Sequence, residues 1–304
     1  MCKYYIDLKS SIIKIYKYDK KELIQIEEKS ILFEEFFSED SGITINNYQK
    51  LVKLIKESAE KHNLNNDNTK IYANGIWRKI PKDQYENLKS DFFDIGFNFN
   101  VISQDEENYY YEKSIQGIYN RKKVLIVDIG FKITELIKID KGNIKEKKKL
   151  NIGISNILNK FPYINDIKEK VGQDEVIEYI LDIIKEEQIE MDFDCAIYMG
   201  EELRFQELLK YKLIPNNIFF DGIHIYMIEY EDFNTKNKEI MKKTTLQELY
   251  EIIPENKKRM YDAKARILLG QAIFKKAKIK IIVPSDLNII NGVIRDEQMK
   301  EILK

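Results

Sequence analysis

Apolar and polar positions alternate most sharply in two stretches, and each predicts a β-hairpin with acid at its bend. Val124-Leu-Ile-Val-Asp-Ile-Gly130 runs as β-formers to Asp128, turns at Gly130, and leaves as a second strand carrying Thr134 and Glu135. Tyr5-Ile-Asp-Leu-Lys-Ser-Ser-Ile-Ile-Lys-Ile15 repeats it at the N-terminus. Asp7 aligns with Asp128, Ile12 with Ile133, Asp19 with Asp140 and Lys20 with Lys141, all at one shift of 121 residues. A duplication at domain-sized spacing predicts two similar lobes whose acidic hairpins can face each other across a central cleft.

Around the first hairpin the pattern predicts strands over 4–8, 12–18 and 23–32. A helix follows, capped by Asn46 or Asn47 and ending near His62, with Leu51, Leu54, Ile55 and Ala59 on one face. Next come a strand over 70–73, a turn at Asn74-Gly75, a helix over 83–88, a strand over 99–103, and a helix from Gln104 toward Ile118. Acids in the first turn of that last helix complement its dipole. Around the second hairpin the pattern predicts a third strand near 143–150 and a helix from Gly153 toward Phe161. It then predicts an amphipathic helix over 173–188, a buried strand over 195–199 ending at Gly200, and a helix over 201–209. Helices over 246–252 and 257–275 and a strand over 279–283, followed by Gly292, close the chain. Three strands followed by alternating helices and strands, used twice, is an α/β plan. The expected domains are 1–119 and 120–304, with the last helix able to pack back on the first lobe.

Composition narrows the function classes. A chain of 304 residues can bury a substantial core in one or two domains, and the duplication favours two. With 43% hydrophobic and 33% charged residues and a net charge of −1, neither disorder nor a polybasic nucleic-acid surface is expected. Cys2 and Cys195 lie far apart, and the histidines are His62 and His224, which argues against a disulfide framework, a zinc site and a histidine triad. The N-terminus enters a strand at once with Lys3 and Asp7 inside it, and no apolar run approaches membrane-spanning length. A cytoplasmic protein with no membrane partner is the expectation.

Five segments in order carry a resemblance to a known family. Ile6-Asp-Leu-Lys-Ser-Ser-Ile12, Ala73-Asn-Gly-Ile-Trp-Arg78, Val101-Ile-Ser-Gln-Asp-Glu-Glu-Asn108, Asp128-Ile-Gly-Phe-Lys-Ile-Thr-Glu-Leu136 and Ser285-Asp286 with Gly292-Val-Ile294 follow the motif order of the exopolyphosphatase/guanosine pentaphosphatase (Ppx/GppA) family. The chain resembles its short form over nearly its whole length. The resemblance implies two duplicated ribonuclease-H-like (actin-like ATPase) lobes around a central cleft. It also implies hydrolysis of terminal phosphoanhydride bonds of polyphosphate or guanosine pentaphosphate by magnesium-assisted attack of water, and a homodimer as a plausible assembly. On this basis Glu107 is the expected general base. Asp7, Asp128 and Glu135 are the carboxylates expected near Mg²⁺. Ser10, Ser11, Arg78, Gly130, Lys132 and Thr134 are the expected phosphate contacts.

The departures from the pattern bear on activity. Glycine-rich loops hold phosphates because backbone N–H groups can approach the oxygens only where side chains are absent. Here the family's glycines and serine after Gly130 are Phe131, Lys132 and Ile133, and the first loop carries Lys9 in place of glycine and Ile12 in place of its second serine. The third loop reads Tyr198-Met-Gly-Glu-Glu-Leu-Arg204, which sets Glu201 and Glu202 at a predicted helix start where an anion would sit. At roughly 5 Å and an effective dielectric of about 20, each acid would repel a phosphate charge by about 3 kcal/mol. Lys9 and Lys132, on the two matched bends, are candidates to supply cations in place of lost N–H donors. Three readings therefore compete: a weak hydrolase, a degenerate nucleotide- or protein-binding module without turnover, and an actin-like scaffold ATPase.

Overall fold

A computed structural model of the chain describes residues 2–31, 33, 36–115, 122–168, 171–219, 224–254 and 257–302. The predicted boundary between 119 and 120 lies outside the described residues, as do Leu32 and the stretch of the 104–118 helix beyond Ile115. Contacts divide the chain into one unit of Met1–Ser114 with Ile289–Lys304 and a second of Ile115–Asn288.

Among the described residues, the first unit is built on a four-stranded sheet of β1 (Lys3–Leu8), β2 (Ile12–Asp19), β3 (Glu22–Ser30) and β4 (Thr69–Ala73), in the order β3-β2-β1-β4. The first three strands form an antiparallel meander, and β4 runs parallel to β1. The period-2 pattern sends Ile6, Leu8, Ile13 and Ile15 to one face. There they pack with Leu51 and Ile55 of α1 (Ile45–His62) and Leu88 and Phe92 of α2 (Lys82–Asp94). Tyr5, Tyr16 and Tyr72 belong to a separate cluster with Ile289, Ile290, Val293 and Ile294 of the C-terminal helix (Ile289–Ile302). That helix is fastened by Glu297, which accepts from Lys3 Nζ at 3.0 Å, Tyr5 Oη at 2.9 Å and Lys70 Nζ at 2.8 Å. Helix α1 starts earlier than the asparagines suggested, because the Thr44 hydroxyl accepts the Asn47 N–H. The predicted strand over 99–103 is reduced to one parallel bridge, Ala73 to Val101. Asn98 and Asn100 interrupt its β-pattern, and Phe97 and Phe99 serve as core anchors instead. Helix α3 (Gln104–Ile115) then completes the unit.

The second unit repeats the meander as β5 (Lys123–Ile129), β6 (Thr134–Asp140) and β7 (Asn143–Leu150), followed by α4 (Ile154–Lys160), α5 (Gln173–Ile183) and β8 (Cys195–Met199). The next elements are α6 (Glu202–Leu208), β9 (Ile214–Pro215), β10 (Tyr226–Glu229), α7 (Tyr230–Lys243), α8 (Leu246–Ile252), α9 (Lys257–Tyr261), α10 (Ala263–Lys276) and β11 (Ile281–Pro284). Its sheet runs β7-β6-β5-β8-β11-β10-β9, with β5, β8 and β11 mutually parallel. Helix α10 is the centre of the core: Ala263, Ala265, Leu268, Leu269, Ala272 and Ile273 are all buried. Gly270 lets it approach β8, since a Cβ there would stand 3.0 Å from the Tyr198 ring. Several boundaries differ from expectation. The 257–275 helix breaks at Asp262, α5 ends at Ile183, and β9, β10 and α7 were not predicted.

The duplication is visible in backbone detail. Lys9 N–H donates to the Ile12 carbonyl and Gly130 N–H to the Ile133 carbonyl, each at 2.9 Å. The next turn of each meander is left-handed at both central positions, Lys20 (φ 50°) with Lys21 (φ 71°) and Lys141 (φ 50°) with Gly142 (φ 77°), the twist a two-residue hairpin needs.

Candidate active site

In the first unit the site grows from the end of β1. Asp7 is fully buried; Asn74 Nδ2 donates to its Oδ1 at 3.0 Å, and Lys9 Nζ lies 3.5 Å from its Oδ2. The segment after β4 gathers the rest. Ile76 N–H donates to Ser10 Oγ at 3.2 Å, and Trp77 Nε1 donates to the Lys9 carbonyl at 3.2 Å. Gly75 is required there twice over: its φ is +70°, and a Cβ would fall 2.4 Å from Ser10 Oγ. Arg78 Nη1 donates to Glu107 Oε2 at 2.8 Å and its Nη2 to Gln104 Oε1 at 2.8 Å. The residues from Asn74 to Arg78 thus tie Asp7, the 9–11 loop and Glu107 to one piece of chain. Ser11 gives its carbonyl to Ile31 N–H at 3.2 Å.

Asp7 also heads a row of charges. It faces Lys14 across β1 and β2, and Lys14 faces Glu28 across β2 and β3. Lys14 Nζ lies 3.5 Å from Glu28 Oε2, and both side chains are buried.

The second unit places its counterparts differently. Asp128 is half-buried, and a methyl group on Gly200 would stand 3.7 Å from its Oδ1 and 3.6 Å from Arg266 Nη1. Arg266 is anchored by donating from Nη1 to the Ile129 carbonyl at 2.9 Å. The carbonyls of Gly130 and Phe131 accept the first N–H groups of α4, from Ile154 at 3.2 Å and Ser155 at 2.8 Å. Gly153 permits this approach, since a Cβ would meet the Phe131 oxygen at 2.6 Å. Phe131, Lys132 and Ile133 are exposed. Thr134 is buried and its hydroxyl donates to the Ile152 carbonyl at 2.8 Å, so its bond is made with the backbone. Glu135 pairs on the surface with Lys149 at 3.2 Å.

The two acids of the third loop part company. Glu202 is fully buried, with its Oε1 3.2 Å from Arg259 Nη2 and 3.8 Å from Arg266 Nη1. Burial pushes its pKa up to about 7, with both arginines pulling the other way. The picture of two acids repelling an anion therefore fails for Glu202, whose charge is turned toward the guanidinium groups. The start of α6 is taken by a different carboxylate: Asp286 accepts from Leu203 N–H at 3.0 Å and Arg204 N–H at 3.3 Å. Sequence reasoning quoted Asn74 and Asp286 within the resembling segments but gave them no role, and it missed Arg259 and Arg266, for which a lone arginine in the apolar run of α10 was a signal.

The residues present do not fit a divalent ion at Asp7 within the first unit. Lys9 already sits on that carboxylate, and a divalent cation about 4 Å from an ammonium at an effective dielectric of 20 is repelled by roughly 8 kcal/mol. Among the described residues no group of three or more His, Cys, Asp or Glu is placed to hold a metal. Nor is any helix among them long and apolar enough to cross a membrane.

No family sequence model matches the chain, and no curated protein matches it. Solved structures do. A Ppx/GppA family member from Aquifex aeolicus superposes with a TM-score of 0.70 at 19% identity, covering 99% of this chain and 98% of that one. An exopolyphosphatase from Cytophaga hutchinsonii gives 0.64 at 16% identity, over 97% and 96% of the two chains. The chain has the Ppx/GppA fold. An exopolyphosphatase-like protein agrees with a TM-score of 0.65 over 97% of both chains. In each unit the aspartate lies toward the end of a strand flanked by an antiparallel neighbour and a parallel one, Asp7 on β1 between β2 and β4 and Asp128 on β5 between β6 and β8. The two are therefore equivalent by position in their sheets and not merely by sequence shift.

Proposed function

We propose that the chain binds polyphosphate or a guanosine polyphosphate through its first-unit site and slowly hydrolyses the terminal phosphoanhydride bond. The observation that carries this reading is the pairing of Arg78 with Glu107 at 2.8 Å, across a sequence separation of 29 residues. A planar guanidinium suits two phosphate oxygens as well as it suits a carboxylate. A terminal phosphate that takes Arg78 releases Glu107 to orient a water. The water oxygen bonds to phosphorus, its proton passes to Glu107, the bridging P–O bond breaks, and the electron pair leaves with the shortened phosphate chain. Lys9 and Arg78 supply the positive charge, so the reading contains no metal step. Hydrolysis is slow because donors of the first unit are already spent: Lys9 N–H on the Ile12 carbonyl and Ile76 N–H on Ser10 Oγ.

A second reading, binding without turnover, is favoured by Lys9 lying on Asp7. Phosphate release from long-chain polyphosphate and guanosine pentaphosphate, compared between wild type and Glu107→Gln, separates the two. Hydrolysis predicts release that falls by roughly 10²-fold or more in the variant while binding persists, the usual scale for losing a general base. Binding without turnover predicts calorimetric uptake by wild type, weakened in Arg78→Gln, with no release from either. A folded wild type that neither binds nor releases phosphate sinks both.

A further inference from the structure

Lys9 stands where the resembling motif carries glycine, and its counterpart in the second meander is Gly130, so the lysine is no relic of the duplication. Its ammonium lies 3.5 Å from Oδ2 of a carboxylate with no solvent exposure, and that oxygen receives no hydrogen bond. The other oxygen is held by Asn74. Across the sheet, Asp7 faces the buried Lys14, whose charge is shared with Glu28. A buried carboxylate persists only where its charge is compensated. Here compensation is covalently built in: two acids, Asp7 and Glu28, against two lysines.

We infer that Lys9 is a resident cation occupying the place of a divalent ion at Asp7, so that the site takes phosphate-rich anions without any metal. The ammonium is tethered to the hairpin bend, where the Lys9 carbonyl accepts from Trp77 Nε1. Its head is partly exposed, so a phosphate oxygen can reach it from solvent while it remains on Asp7. Anion binding then depends on ionic strength, as ammonium–phosphate contacts do, and is indifferent to chelators.

Two measurements test this. Mn²⁺ alone is titrated into wild type, Asp7→Asn, Lys9→Gly and Lys9→Gly/Asp7→Asn, with free metal followed by electron paramagnetic resonance. Uptake by Lys9→Gly that is lost in the double variant, with none attributable to Asp7 in wild type, is expected. Wild-type uptake abolished by Asp7→Asn overturns the inference, as does a folded Lys9→Gly protein that takes up no Mn²⁺. Should Lys9→Gly fail to fold, urea midpoints of Lys9→Met, Asp7→Asn and their combination decide: the combination recovers most of the loss of Lys9→Met if the two charges compensate each other, and strict additivity overturns the pair. The ligand arm alone rests on the function proposed above. Polyphosphate affinity in excess chelator should stay within about twofold of that in Mg²⁺, where loss of a bridging metal would cost tenfold or more. Absence of polyphosphate binding in both conditions refutes the proposed function and leaves the Mn²⁺ experiment to judge Lys9.

Discussion

In the first unit the charged row Asp7–Lys14–Glu28 is sealed from solvent; in the second, the equivalent row Asp128–Glu135–Lys149 lies open. The positions correspond one to one through the same 121-residue shift, but the second and third charges are exchanged. Glu135 and Lys149 keep 38% and 69% of their side-chain surface, against 1% and 7% for Lys14 and Glu28. The same backbone therefore carries two different kinds of ion pair. A sealed pair has surrendered its hydration and holds only while both partners are present; an open pair competes with water at every moment.

The sharpest way to break this comparison is to remove the cation from each row. Lys14→Met leaves Asp7 and Glu28 buried with one cation fewer, and should cost about 3–5 kcal/mol of stability, the scale for orphaning a buried charge. Lys149→Met, which removes the cation of the open row, should cost less than about 1 kcal/mol. Urea denaturation of the two variants reads both numbers. Equal losses would show that exposure does not distinguish the rows.

The amino-acid pattern alone made these rows legible in part. The shared shift, the two hairpins and the α/β plan followed from local pattern, because β-formers, turns and the Asp positions repeat in register, and the particular fold followed from the resemblance of the five ordered segments. What could not be read was pairing at a distance. Helix α7 hides its buried stripe, since Asn237 sits between Phe233 and Ile240 where an apolar residue marks a helix face. The C-terminal helix was masked by Gly292, which looks like a loop signal. In fact it permits close contact, a Cβ there falling 1.7 Å from the Tyr110 carbonyl. Among the candidate residues, Asp7, Arg78 and Glu107 were named by position, and each meets the segment Asn74–Arg78 in the structure. That Glu202 would turn inward and Asp286 would take the start of α6 depends on β11 lying beside β8, a non-local fact.

The second unit also buries a carboxylate, and it does so with arginines. Glu202 titrates at about 7 in the folded protein because burial penalises the anion more than Arg259, Arg266 and Gln206 relieve it. A carboxyl whose pKa is raised by folding binds its proton more tightly in the folded state. Its contribution to stability is therefore greatest at acid pH and is lost as pH rises from about 4.5 through about 7. The full effect is at most about 3 kcal/mol at 1.36 kcal/mol per unit, less where the arginines relax with it. The stability of wild type relative to Glu202→Gln should thus fall between about pH 5 and pH 8. Parallel pH profiles for the two proteins would remove Glu202 from the account.

The smallest effect concerns how each unit holds its first bend. In the first unit a side chain does it, Ser10 Oγ accepting the Ile76 N–H at 3.2 Å. In the second unit backbone does it, the Gly130 and Phe131 carbonyls accepting from the start of α4. A side-chain tether can be removed without touching the chain path. Ser10→Ala should therefore cost only about 1 kcal/mol, the net worth of one hydrogen bond. It should also loosen the 9–11 bend, with faster amide exchange at Ile76 and no change at Ile154 or Ser155. Faster exchange at all three amides would mean that the two bends respond as one system and that the contrast between side-chain and backbone tethers has no mechanical meaning.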